Sequence, residues 1–205
     1  MKHLNYQRQS LWQKPTDVLC QSPISLTQAT STAIKGQFVT IEFDCVTTRK
    51  DQIVGEQFIS QGLLNLFGNH WHLERFHFHE HSEHRIENHY HDIEIHFVFK
   101  HDEAILVVAV LGDVTIDSPS KITRLFENNY ARFELSPLFP DKSNYYSYQG
   151  SLTTPPFEQT VQWVVMADSI QISASDLATI KASYPSNYRN EQPRQKRKIY
   201  YHITP

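Results

Sequence analysis

Two short segments of the chain alternate between apolar and polar side chains, and this alternation restricts the folds that the sequence can adopt. His77 and His79 each follow a phenylalanine, while Glu94 and His96 each follow an isoleucine. Successive side chains on a β-strand point to opposite faces, so we expect two strands whose aromatic and aliphatic residues face a core. The histidines and the glutamate then lie on the opposite faces of these strands.

The remainder of the sequence also favours β-structure. Runs of β-branched and aromatic residues between turn residues predict six strands, at residues 37–45, 53–59, 70–79, 92–100, 104–111 and 160–168. Two short helices are predicted, one capped by Ser118 with Pro119 as its first residue and one that begins near Ser173. Because no repeat, linker or change of composition divides the chain, we expect a single, mainly β domain over residues 1–205.

Charge and composition exclude several classes of function. The 19 Lys and Arg residues against 22 Asp and Glu give a formal net charge of −3, so no nucleic-acid-binding surface is expected. The basic segment 189–198 is interpreted as a solvated or locally paired terminal segment, because no aromatic platform accompanies it. The longest apolar run, residues 104–111, is too short to span a membrane, and the N-terminus lacks a signal-peptide pattern. We therefore expect a soluble protein.

Histidine is concentrated in one part of the chain. Ten of the 12 histidines fall within residues 70–101. Three neutral imidazoles, two from one strand and the third from its neighbour, suit zinc and leave its fourth position open to water. The pattern therefore predicts a catalytic zinc site at His77, His79 and His96. The other seven histidines of the stretch are interpreted as surface or hydrogen-bonded residues, among them His81, His89 and His91.

Several motifs, taken in their order along the chain, resemble those of the α-class carbonic anhydrases. The matching segments are residues 21–24, 76–79, 82–84, 94–98, 150–156, 161–163 and 187–189. The resemblance extends from about Trp12 to Arg197, and chance does not account for an ordered set of this size. It implies a large, mostly antiparallel central β-sheet with a few short peripheral helices.

The resemblance also implies an activity. One zinc ion per chain, held by His77, His79 and His96, would carry the hydroxide that attacks CO2. The chain is then a zinc lyase that interconverts CO2 and bicarbonate, and its partner is this small substrate rather than nucleic acid or a membrane. Glu94 is expected to accept a hydrogen bond from His96 and so to raise its basicity, and Tyr148 is expected to support His84.

Further positions match the substrate pocket of that family. The Thr153 hydroxyl is expected to donate to Glu83 and to accept from the zinc hydroxide, which orients the nucleophile. Thr154 is expected to contact bicarbonate. Ordinary core packing would also account for most of the residues expected to form an apolar wall for CO2, which are Val98, Val110, Leu152, Val161 and Trp163.

Two positions near the expected site depart from the family's pattern. Fast members carry a histidine that relays protons, whereas the corresponding stretch here has Glu56 or Gln57, so slower and buffer-dependent turnover is predicted. Arg75 stands where the family commonly has glutamine as the hydrogen-bond acceptor for the first zinc histidine. Because a guanidinium accepts no hydrogen bond, we predict weaker zinc retention.

A third departure concerns the cysteines. Exported members of the family often have a disulfide-bonded cysteine at the position of Phe157. Without that partner, Cys20 and Cys45 are expected to be free thiols, which agrees with a cytoplasmic location.

Two other functions are compatible with the same residues. A catalytically weak or silent member of the family would serve as a binding protein, although silent relatives typically lose a zinc histidine and this chain has all three. A histidine-rich zinc buffer would use the additional histidines between residues 70 and 101. Metal stoichiometry separates these alternatives, because a buffer binds several zinc ions and the enzyme binds one tightly.

Overall fold

Most of the regular structure is β-strand, as the sequence predicts. A computed structural model describes residues 4–12, 20–37, 39–52, 55–127, 133–141 and 144–205. Within these residues the strands are β1 (Ser25–Leu26), β2 (Thr32–Lys35), β3 (Ile41–Gln52), β4 (Gly55–Leu66), β5 (Asn69–Glu80), β6 (Arg85–Ile86), β7 (Ile93–His101), β8 (Ala104–Val114), β9 (Tyr145–Ser151), β10 (Gln159–Met166), β11 (Ile170–Ile172) and β12 (Tyr200–Ile203). The predicted start of the second strand, at Ile53, lies outside the described residues.

Ten strands form one large sheet in the order β2-β12-β9-β10-β8-β7-β5-β4-β3, with β11 added beside β8. Its pairs are antiparallel except for β8 with β10, β8 with β11, and β2 with β12. Strands β1 and β6 form a separate parallel pair. The expectation of a mainly β fold with a mostly antiparallel central sheet is thus confirmed.

The two alternating segments form neighbouring strands near the middle of the sheet. β5 and β7 are antiparallel, and their register places Phe76 opposite Phe97 and His77 opposite His96. Residues that face each other across a strand pair lie on the same side of the sheet. The phenylalanines therefore face one core, and the histidines face the other side.

Both faces of the sheet are covered at its centre. The larger core, on one side, contains the phenylalanines of β5 and β7 together with Val110. The smaller core, on the other side, contains Val98, Val107 and Trp163. β8 is buried on both faces, and for this reason its apolar run shows no alternation.

The described helices are short and lie outside the sheet. Two are α-helices, α1 (Thr123–Phe126) and α2 (Ala174–Ser183). The predicted start of α2 is confirmed, since the Ser173 side chain caps it and pairs with Asp176 in a capping box. The prediction that Ser118 caps the first helix is wrong. Instead, the buried Asp176 carboxylate accepts hydrogen bonds from the backbone N–H groups of residues 121–123 at 2.9–3.0 Å.

Three short 3-10 helices complete the described helical structure, at Tyr6–Leu11, Gln28–Thr30 and Ser136–Leu138. No helix in the described part of the chain is long and apolar enough to cross a membrane.

Candidate metal centre

Three imidazoles meet on the face of the sheet opposite the larger core. His77 and His79 extend from β5, and His96 extends from β7 directly opposite His77. The ring of His96 lies 5.2 Å from that of His77 and 4.4 Å from that of His79, measured between ring centres. One nitrogen of each residue lies within 4.8 Å of the others, so the structure brings the three predicted ligands together as a group that can hold a metal ion.

The outer nitrogens of two of these rings already have acceptors. His79 donates from Nδ1 to the carbonyl oxygen of Asn187 at 2.7 Å, and His96 donates from Nε2 to Glu94 Oε1 at 2.6 Å. Burial lowers the pKa of His79, which favours a neutral ring with one proton. A neutral imidazole that donates from one nitrogen has a lone pair on the other. The inner nitrogen of His79 therefore has a free lone pair, and a neutral His96 has one on its inner nitrogen too.

These inner nitrogens face one another. His79 Nε2 lies 3.1 Å from His96 Nδ1. Two lone pairs at this distance repel unless a cation lies between them, and nitrogens on a tetrahedral zinc are separated by about 3.3 Å for the usual Zn–N bond lengths. The donor set and its spacing therefore fit zinc. Burial also lowers the pKa of His77 well below its usual value, with the neighbouring His79 and His96 adding to the shift, so this ring is neutral like that of His79.

Glu94 organises the residues behind the metal ligands. Its Oε1 accepts from both His96 and His84 at 2.6 Å, and its Oε2 accepts from the backbone N–H groups of residues 83 and 84 at 2.8 Å. Burial alone would raise the pKa of this carboxyl group, but His84 and His96 hold it well below its usual range. The predicted pairing of His84 with Tyr148 is present, with 2.7 Å between Nε2 and the phenol oxygen.

His77 lacks the kind of partner that the other two ligands have. Its Nδ1 is buried and has no hydrogen-bond partner among the described residues. Arg75, two residues earlier on the same strand face, directs its guanidinium to Glu74 at 3.2 Å. The guanidinium supplies no acceptor to His77, which is the physical basis of the weaker zinc retention predicted above.

A cavity of about 40 Å³ opens beside the imidazoles, which is room for very small molecules only. The side chains that line it are Tyr6, Gln57, Arg75, His77, His96, Val98, Val107, Leu152, Thr153, Thr154 and Trp163. Sequence reasoning did not single out Tyr6 or Val107.

Two of the residues predicted to form the apolar wall, Val110 and Val161, do not line the cavity. The prediction for Val110 is wrong. Val110 pairs with Ile95 and belongs to the larger core, on the far side of the sheet. Val107, directly opposite Val98, lines the cavity instead. Val161 lies in the smaller core on the correct side but is not among the lining residues.

Glu83 is buried beside the imidazoles. Its Oε1 accepts from the backbone N–H of Arg189 at 2.6 Å, and its Oε2 has no hydrogen-bond partner in the described part of the chain. The hydrogen bond expected from Thr153 to Glu83 is therefore not formed in this structure. Thr153 does line the cavity, so both groups belong to the same site.

Of the two side chains expected near the proton-relay position, Glu56 and Gln57, only Gln57 lines the cavity. Gln57 is 2% exposed, lines the cavity, and has no hydrogen-bond partner at either amide atom among the described residues. Glu56 forms an ion pair with Arg49 at 3.5 Å instead. Among the described lining residues the only imidazoles are those of His77 and His96.

Residues of the C-terminal segment contact the groups that surround the candidate metal ligands. Arg189, which was predicted to lie in a solvated or locally paired segment, is 2% exposed. Its guanidinium donates to the Ser22 carbonyl at 2.6 Å and to Gln21 Oε1 at 2.7 Å. It also lies 4.1 Å from the ring centre of Phe157. Both cysteines, Cys20 and Cys45, are free thiols, as expected.

Comparison with known proteins finds a matching family. The sequence profile of the eukaryotic-type carbonic anhydrases matches residues 7–203. A carbonic anhydrase of Nostoc sp. is 30% identical over 141 residues, which make up 62% of this chain and 52% of that protein. The matched region thus spans about half the length of this curated relative and of two bacterial ones from Pectobacterium.

Solved structures show the same fold. The α-carbonic anhydrase of Photobacterium profundum superposes with a TM-score of 0.81 and 26% identity over 90% of both chains. The α-carbonic anhydrase of Thermovibrio ammonificans, solved with the inhibitor sulfanilamide, gives a TM-score of 0.75 at 26% identity over 88% of this chain and 86% of that one.

Proposed function

Because the chain belongs to the eukaryotic-type carbonic anhydrase family, we propose that it catalyses the reversible hydration of CO2 to bicarbonate and a proton. The observation that carries this proposal is the set of three converging imidazoles, two of which have their outer nitrogens bonded to acceptors while their inner nitrogens face each other at 3.1 Å. Such a set suits one catalytic zinc ion, held by His77, His79 and His96.

When bound, zinc on three imidazoles makes a coordinated water molecule acidic enough to supply the nucleophile for CO2, a property for which carbonic anhydrases are the standard example. Glu94 and the Asn187 carbonyl hold two of the rings in the tautomer that presents the inner nitrogen. Three neutral imidazoles would hold the ion without reducing its charge. The carboxylate of Glu94 lies behind the rings and therefore shapes their orientation without occupying a ligand position.

Glu83, Thr153 and Thr154 are proposed to position the reacting molecules. A carboxylate only accepts hydrogen bonds, so a hydroxyl that contacts the unused Oε2 of Glu83 must direct its proton there and its lone pairs elsewhere. Thr153 and Thr154 line the cavity and offer hydroxyl groups to CO2 and bicarbonate. Their contribution is orientation, which holds the carbon close to the attacking oxygen.

The opposite wall of the cavity suits an apolar substrate. Val98, Val107, Leu152 and Trp163 place hydrocarbon next to the imidazoles. CO2 has no net dipole and gains little from hydrogen bonds, whereas water loses hydrogen bonds against such a wall. The wall therefore favours CO2 over additional water in this small space.

Proton transfer out of the site is proposed to limit turnover. An amide such as that of Gln57 does not titrate near neutral pH and cannot take up and release a proton as an imidazole does. External buffer must then accept the proton. This predicts slower hydration whose rate rises with buffer concentration.

The test is stopped-flow CO2 hydration by zinc-quantified protein over a series of buffer concentrations. We expect a rate proportional to bound zinc, inhibition by sulfanilamide and a rise with buffer. Gln57→His should raise the rate at low buffer and flatten the buffer dependence, whereas the control Gln57→Asn should leave that dependence in place. A fast, buffer-independent wild type would reject the missing relay. Background rates with one zinc bound would reject catalysis in favour of a silent binding protein.

A reducing, cytoplasmic location is a separate proposal. It is supported by the free thiols of Cys20 and Cys45. Fractionation of the native cells, with the protein followed by antibody, tests it; recovery of the protein from a fraction other than the cytoplasm would overturn it.

A further inference from the structure

A second group of metal-binding side chains lies away from the proposed active site. His89 and His91 belong to the loop between β6 and β7, and Asp113 lies near the end of β8. One ligand atom of each residue lies within 4.8 Å of the others. None of the three contributes to the cavity beside His77, His79 and His96.

The geometry of this cluster resembles that of an open metal site. His91 Nδ1 lies 2.9 and 3.0 Å from the two carboxylate oxygens of Asp113. The rings of His89 and His91 are 5.0 Å apart between centres and nearly perpendicular, at 83°. Ser169 donates a hydrogen bond to Asp113 Oδ2 at 2.6 Å and so fixes the carboxylate from the side.

The charge and exposure of the cluster favour a cation. The Asp113 carboxylate accepts hydrogen bonds from His91 and Ser169 and brings an acidic ligand next to the two imidazoles. His89 is exposed, and His91 and Asp113 are half-buried, so water has access to the open side. Two imidazoles and one carboxylate form a donor set that binds zinc and other divalent transition metals.

We propose that His89, His91 and Asp113 form a second site for a divalent transition-metal ion such as zinc, with water completing its coordination. The sequence analysis interpreted His89 and His91 as surface or hydrogen-bonded residues. The proposal gives both of them a role as metal ligands. The proposal concerns residues outside the proposed active site and does not depend on catalysis there.

The second site is connected to the segment that carries Glu83 and His84. The backbone N–H of His91 donates to Ser82 Oγ, and the backbone N–H of Ser82 donates to the His91 carbonyl, both at 2.9 Å. Ser82 Oγ in turn donates to the His84 carbonyl at 2.8 Å. An ion that fixes His91 against Asp113 therefore also restrains the turn before Glu83.

Zinc titration of the full chain against a chromogenic chelator tests the proposal. The wild type should bind two zinc ions, one tight and one weaker. His89→Ala and Asp113→Asn should each raise the dissociation constant of the weaker site roughly 10-fold or more and leave the tight site unchanged. His72→Ala is the matched control, because His72 is also exposed but belongs to no candidate metal group in the described residues, and it should bind two ions.

Other outcomes overturn the proposal. A wild type that binds one zinc ion throughout the titration has no second site, and a second ion that persists in both His89→Ala and Asp113→Asn is bound elsewhere. His79→Ala separates this result from the proposed function, since it should lose the tight ion and keep the weaker one. Imidazole NMR signals of His89 and His91 that shift on addition of the second equivalent would place the ion directly.

Discussion

The two histidine clusters of this protein differ in what lies behind each ligand. In the buried cluster, His79 and His96 are 1% and 2% exposed, and each donates its outer N–H to a protein acceptor. In the surface cluster, His89 is exposed, and His91 is hydrogen-bonded directly to the other ligand, Asp113. The rings of His79 and His96 are thus oriented before an ion binds, whereas His91 and Asp113 must first separate from one another.

This difference shows how the same side chains give sites of different strength. An ion entering the buried cluster meets two rings that are already oriented by acceptors and whose inner nitrogens are 3.1 Å apart. An ion entering the surface cluster must replace the hydrogen bond between His91 and Asp113 and order an exposed side chain, which costs conformational entropy. We therefore expect one tight ion and one weakly bound ion.

The largest expected effect is that of removing a buried ligand. His79→Ala should weaken binding of the tight zinc by more than about 100-fold, beyond the usual effect of losing a supporting residue, and reduce CO2 hydration to background. Zinc content after dialysis and stopped-flow rates measure both. If the variant retained one tightly bound zinc ion, His79 would not be a ligand and the comparison between the clusters would fail.

The next largest effect on zinc affinity is expected from removing a group that supports a ligand, and its size should differ between the two clusters. Glu94→Gln removes the anionic acceptor behind His96 and should reduce affinity for the tight zinc by roughly 10–100-fold. Ser169→Ala removes the hydrogen bond to Asp113 in the surface cluster and should change the weaker affinity less, because water can replace the hydroxyl there. Chelator competition gives both constants. Equal losses in the two variants would show that burial does not strengthen the supporting contacts.

Arg75→Gln tests His77, the ligand whose buried Nδ1 has no acceptor among the described residues. Glutamine offers an oxygen to His77 where the guanidinium offers none, so zinc release to a chelator should slow by about 10-fold. Arg49→Gln, which changes the same residue type away from the cavity, should leave the release rate unchanged. An unchanged rate in Arg75→Gln would mean that His77 needs no such partner.

The smallest expected effect concerns the metal-free surface cluster. Because the pKa of Asp113 is lower in the folded state than its usual value of 3.8, its ionised form stabilises the fold above about pH 4. Asp113→Asn should therefore cost less than about 1 kcal/mol at neutral pH, given solvent screening. The difference should shrink as the pH falls below 4 and vanish once the folded-state carboxyl is protonated.

Chemical denaturation at a series of pH values, with a chelator present, measures this effect. Asp117→Asn, at an exposed position, is the control and should show no comparable pH-dependent difference. A difference for Asp113→Asn that grew on acidification would have the wrong sign for a stabilising carboxylate.

The fold was predictable where side chains alternate. β5 and β7 bury one face in the larger core and direct histidines to the other, so their period of two is visible in the sequence. β8 is buried on both sides and shows no period, and its register could not be derived from the apolar run alone. This explains why Val110 was expected in the cavity where Val107 lies.

The site was predictable to the extent that it is made of distinctive side chains. Imidazoles at strand spacing indicated His77, His79 and His96, and the family resemblance added Glu94. The acceptor for His79 is a backbone carbonyl, which any residue at position 187 supplies, so no residue type marks it. Asp176 illustrates the same limit for the helices, since a distant carboxylate replaces the local cap expected at Ser118.

The support from the C-terminal segment has a consequence for how the protein is made. The carbonyl that orients His79 lies 108 residues further along the chain, and the amide that holds Glu83 lies 106 residues further along. At the usual speed of translation, roughly 5–20 residues per second, the imidazoles are synthesised about 5–20 seconds before these groups. A nascent chain thus presents its histidines to cellular metals before the geometry that selects among them exists.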